Sequence, residues 1–197
     1  MSRNRYTIMT IHDHRAAECE WATVHRSVTE FENFIRSARG TPSRLHTNVR
    51  RIHKALEMIR IEMQEVVART LPCNARSDSY WQAPKAVQPA VKAPLASALT
   101  VGDHIAAARA LGPSESAVHR FIAIISNRRH LPVRILDFAI RIDHLVQIVR
   151  CEMEDLQFYT LRGRGVPWVN CWLGPFNYFD DEGGRDAPGA QGLANGG

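Results

Sequence analysis

Residues 15–70 read RAAECEWATVHRSVTEFENFIRSARGTPSRLHTNVRRIHKALEMIRIEMQEVVART. Trp21, Val24, Val28, Phe31, Ile35 and Ala38 follow one another at steps of three and four, which is a heptad seam on one face of a helix running from Arg15 to Arg39. Gly40 ends that helix, because glycine enters the left-handed region without a Cβ penalty. Thr41-Pro42 predicts a new start, with threonine as N-cap and proline at the first helical position, where a missing N–H is no loss. Leu45, Val49, Ile52, Leu56, Ile59, Met63 and Val66 carry the same period to about Thr70. A connection this short forces the two helices antiparallel. Residues 16–70 are therefore an αα-hairpin with matching apolar faces.

The other long helical pattern is LPVRILDFAIRIDHLVQIVRCEMEDLQFYTLR, residues 131–162. Ile135, Phe138, Ile142, Leu145, Val149, Met153 and Leu156 form its apolar stripe, flanked by Arg134, Asp137, Arg141 and His144. Pro132 opens it, after the basic turn SNRRHLP at 126–132. Between hairpin and long helix, residues 71–98 hold four prolines and no period, so they read as a long excursion. A short Ala-rich helix follows, with a Thr100/Asp103 capping pair and Gly112 as its stop. Ser114 caps a second short helix, on which Val118, Phe121, Ile122 and Ile125 share a face.

Residues 1–15 form an N-terminal arm, in which YTIMTI (6–11) alternates as an edge strand does but fits irregular chain equally well. Residues 163–179 are rich in glycine, proline and aromatics, and 180–197 are acidic and glycine-rich, a composition that predicts disorder. Beyond the heptads no internal repeat stands out. The fold class is all-α: an antiparallel bundle of four or five helices over residues 16–162, with a long proline-rich excursion and a disordered C-terminal tail.

Composition narrows function. No run of about eighteen apolar residues is present, so no membrane helix is expected. The N-terminus lacks the apolar core of a signal peptide. An intracellular chain with four scattered cysteines should keep them as free thiols. Net charge is +5, and 22 of the 25 basic residues are arginine. Arginine's planar fork suits phosphate, which points to a nucleic-acid partner; a GC-rich genome would produce the same excess, and both readings stay open.

No catalytic constellation emerges. His12, His14 and Cys19 stand close together, but without a fourth ligand at a metal-site spacing the segment reads as a polar arm. Cys151 is mid-helix and reads as a small core residue. GRGVP lacks the Lys-Ser/Thr of a phosphate loop. No cofactor, metal or small-molecule substrate is implied. Arg44, Arg50, Arg51, Arg128, Arg129, Arg134 and Arg141 are the candidate nucleic-acid-binding residues, since phosphate binding needs clustered guanidinium groups. Their bland reading is a solvated basic face, with Asp137–Arg141 and Arg150–Glu154 as i,i+4 ion pairs. Trp168, Trp172, Phe176 and Tyr178 are candidates for self-association, because aromatics are enriched at interface cores.

The layout resembles the helical coat proteins of rod-shaped plant RNA viruses, the tobacco mosaic virus type. The opening Trp21…Phe31…Phe34 is similar to the start of that group's first helix, and Phe158, Gly163 and Val166-Pro167-Trp168 are distantly similar to its ending. Tyr159 stands where that group has a glutamate after the phenylalanine, and the aromatic segment here runs on further. The resemblance implies a homo-oligomeric virion subunit, not an enzyme, that packages RNA with arginines at an inner turn (Arg128, Arg129 and Arg134). The alternatives are a cytoplasmic helical DNA-binding or adaptor protein acting as a discrete dimer and, with less support, a small enzyme or metal-binding protein.

Overall fold

The computed structural model describes residues 8–38, 40–71, 81, 99–128, 130–162 and 172. Four helices account for nearly all of them: α1 Ile11–Ser37, α2 Ser43–Thr70, α3 Val101–Ile125 and α4 Val133–Arg162. No strand occurs among the described residues. The excursion apart from Trp81, residues 163–179 apart from Trp172, and the acidic tail lie outside them.

The hairpin seams are the core. Every seam position of α1 and α2 named above is buried. α4 turns a slightly different face inward: Phe138 and Leu156 are half-buried, while Ala139 and Val146 are buried. α1 begins earlier than the spacing suggests. Thr10 is its N-cap and forms a reciprocal box with Asp13: the Asp13 N–H donates to Thr10 Oγ1 at 3.2 Å, and the Thr10 N–H donates to Asp13 Oδ2 at 2.8 Å. The polar arm that carries His12 and His14 is thus the first turn of a helix. The Thr100/Asp103 box at the start of α3 has the same form.

Two expectations need correction. The short helices on either side of Gly112 are one helix, with Pro113 inside it. Ala107, Leu111, Ser114, Val118, Phe121 and Ile125 form a single buried stripe at steps of four and three. Burying that unbroken stripe outweighs the roughly 3 kcal/mol an internal proline costs. The second concerns Thr41, which is not the N-cap of α2. Pro42 holds that position, and Thr41 Oγ1 donates back to the carbonyls of Ile35 and Ala38 at 3.1 and 3.3 Å. It serves the carbonyls at the end of α1, which would otherwise lack donors.

The bundle is an internal duplication, contrary to the reading of heptads alone. Shifting the sequence by 90 residues aligns 10–71 with 100–161 without a gap, and eighteen of the sixty-two pairs are identical. Thr10, Asp13, His14, Phe31, Pro42, Arg44, Arg51, Glu62, Met63 and Thr70 meet Thr100, Asp103, His104, Phe121, Pro132, Arg134, Arg141, Glu152, Met153 and Thr160. The structure follows the repeat. His14 and His104 are both wholly buried, each beside the hydroxyl that ends its own hairpin, at 3.5 Å from Thr70 and 3.2 Å from Thr160. Gly40 and His130, at equivalent turns, both have left-handed φ, +84° and +76°.

The two hairpins pack across a pseudo-two-fold axis. α1 lies against α3, and α2 against α4, each pair antiparallel: Asp13 meets Arg128 and Glu20 meets Arg120, while Arg44 meets Glu152 and Glu62 meets Arg134. All four neighbouring pairs around the bundle are therefore antiparallel, with one long crossover joining the halves. Leu71 and Leu99 sit at opposite ends of the bundle, which accounts for the length of the segment between them. Trp81 is buried within that segment, 5.7 Å from Trp21 and 6.3 Å from Phe121 between ring centroids.

Candidate nucleic-acid interface

The seam between α2 and α4 gathers four of the seven candidate arginines. Arg44 and Arg51 are two turns apart on α2, and Arg134 and Arg141 are their repeat equivalents on α4. All four are exposed. The two outer ones are ion-paired to the opposite hairpin. Arg44 Nε lies 3.3 Å from Glu152, and Arg134 Nε lies 2.8 Å from Glu62. The contact is reciprocal, as in an isologous interface, where residue i meets j and j meets i. The glutamates were absent from the sequence reading, although an arginine followed eighteen residues later by a glutamate recurs in both halves and was visible as a signal.

The inner pair is different. Arg51 Nη1 donates to Asn48 Oδ1 at 3.5 Å, and neither Arg51 nor Arg141 has an ion pair among the described residues. Asp137 does not pair with Arg141, whereas Arg150–Glu154 forms as the spacing suggests, at 3.2 Å. Arg50 donates to the His46 carbonyl at 3.3 Å and stays exposed. Arg128 is not at the seam. It is half-buried and tied to Asp13 at 2.8 Å, so the basic turn before α4 spends this charge on α1. Arg129 lies outside the described residues.

Local electrostatics single out the first half of α2. The four helices together carry fifteen basic and fifteen acidic residues, so the chain's positive excess does not rest on the bundle as a whole. Within α2, however, Arg44, Arg50, Arg51 and Lys54 all precede Glu57, Glu62 and Glu65. Its first turn has no acidic residue and its N-cap no side-chain hydrogen bond. Cations at a helix N-terminus oppose the helix dipole, so stability does not call for this order. α1 and α3, by contrast, each place an aspartate there.

Of the self-association candidates, Trp172 is buried in the chain's own core; Trp168, Phe176 and Tyr178 lie outside the described residues. Cys151 is exposed and not a core residue, as is Cys19. His12 is exposed while His14 is buried, and no group of three or more metal-ligating side chains forms among the described residues. Among the described residues, no helix is long and apolar enough to cross a membrane.

Comparison with protein-family models, with curated proteins and with solved structures finds no match to this chain.

Proposed function

We propose that the chain is a nucleic-acid-packaging protein of the coat-protein class. It binds RNA through arginine–phosphate contacts and assembles with copies of itself. The observation that carries this reading is the run Arg50, Arg51 and Lys54 on α2, with no acid between them in sequence, joined across the seam by Arg141 and flanked by Arg44 and Arg134, which Glu152 and Glu62 hold. Guanidinium groups set at helical spacing neutralise phosphates without reading bases, and the affinity they give falls steeply with salt. Assembly draws support from α4, which leaves Val133 and Ile140 exposed two turns apart on one face; neighbouring apolar side chains on an outer helix face suit a partner surface.

RNA binding of the intact protein, measured between 50 and 200 mM salt, tests the reading. Each phosphate contact to single-stranded RNA contributes about 0.7 to the slope of log K against log salt. Replacing Arg50, Arg51 and Lys54 by alanine should lower the slope by about 2 and weaken binding at least tenfold. An unchanged slope would leave these side chains as solvated surface. A protein that purifies as a discrete dimer free of nucleic acid favours the adaptor reading instead.

A further inference from the structure

The internal repeat deepens the nucleic-acid reading, on which this inference rests. Most of the eighteen identities between the halves have a structural reason. Ala17, Val28, Phe31, Ile35, Ile52, Met63 and their equivalents are buried, and Thr10 and Asp13 with theirs cap helices. Among the described residues, two identical pairs are arginines exposed in both halves. Arg44 and Arg134 are explained by Glu152 and Glu62. Arg51 and Arg141 have no carboxylate to hold among the described residues, yet both halves keep them.

We propose that the α2·α4 face binds a nucleic-acid duplex across its dyad, with Arg51 on a phosphate of one strand and Arg141 on the equivalent phosphate of the other. The two strands of a duplex are antiparallel and related by two-fold axes, as the two hairpins are. A single strand has a direction and no dyad, so two-fold-related arginines would meet inequivalent phosphates on it. The register of the seam fits. The Arg44–Glu152 and Glu62–Arg134 pairs set Arg51 opposite residue 145, one helical turn from Arg141. With about 6 Å along the axis and 8–10 Å between axes, the two backbones stand roughly 11 Å apart. Two arginine side chains rising from that base bracket a minor groove, whose width is roughly 6 Å in B-form DNA. The spacing suits the B-form groove, whereas the minor groove of an A-form RNA duplex is wide and shallow, so a DNA duplex should bind tighter than an RNA duplex.

The test titrates the full-length protein with a 20-base-pair RNA duplex, the matching DNA duplex and each separate strand, at equal salt. At least one duplex should bind tenfold or more tighter than its strands. Arg51→Ala and Arg141→Ala should weaken that binding by the same factor, each lowering the salt slope by about 0.9. Arg69→Ala, away from the seam and paired with Glu65, should leave both unchanged. Strands that bind as tightly as duplexes overturn the dyad proposal and leave the packaging reading standing. Unequal effects of the two seam variants also overturn it. Failure of every nucleic acid to bind removes both.

Discussion

Arg134→Ala should destabilise the bundle several-fold more than Arg44→Ala, although the two arginines are equivalents in the repeat. The difference lies in the carboxylate each leaves behind. The Glu62 side chain is 4% exposed and the Glu152 side chain 13%. Glu152 Oε1 also keeps the Asn48 amide at 3.4 Å, while Glu62 retains no second partner among the described residues; the Oε2 of each glutamate is buried unsatisfied. Stranding a buried charge costs about 3–5 kcal/mol; because the guanidinium of Arg134 is itself largely in water, the low end, about 3 kcal/mol, applies. Arg44→Ala should cost about 1 kcal/mol, nearer an exposed pair. Urea unfolding followed by circular dichroism resolves this. With a slope near 2 kcal/mol per molar, the midpoints should fall by about 1.5 M and 0.5 M. Adding Glu62→Gln to Arg134→Ala should recover at least about 1 kcal/mol, since a neutral amide is cheaper to bury. Equal losses below about 0.5 kcal/mol for both variants would refute the reasoning. The reciprocal pairs would then be solvated contacts and not part of what joins the hairpins.

Three further outcomes follow from the core. Burial lowers the pKa of His14 and His104 from the ordinary histidine value. The unfolded chain then binds more protons than the folded one below pH 6.5, so stability is full above that value and falls as pH drops through it; unfolding midpoints at pH 7.5 and 5.5 should show the loss, and His14→Gln with His104→Gln should shrink it, leaving the share of His25 and His53, whose pKa burial also lowers. Trp81→Ala should cost about 3–5 kcal/mol by calorimetry, because the ring is fully buried against Trp21 and Phe121; a near-neutral effect would show that the crossover is not tied to the bundle. His130→Gly should raise stability by up to about 1 kcal/mol, since the residue has φ +76° where its equivalent is glycine; a lower melting temperature would contradict this.

Sequence by itself determined the helices. Heptad spacing placed the seams of α1 and α2, and the Thr100/Asp103 pair marked the start of α3, because capping and amphipathicity act over three or four residues. Local rules also misled: Gly112-Pro113 reads as a stop, yet α3 runs through it. The duplication was legible as eighteen ungapped identities, but heptads hid it, since any two amphipathic helices look alike in their apolar positions.

Tertiary structure alone decided which charges are spent and which are left. Arg128 looked like a binding residue and is tied to Asp13, 115 positions away; Arg134 is held by Glu62; Arg51 and Arg141 are held by no acid among the described residues. Partner choice between helices depends on interhelical register, which no local pattern encodes. In this bundle that register is set by two hairpins meeting as near-copies across one axis.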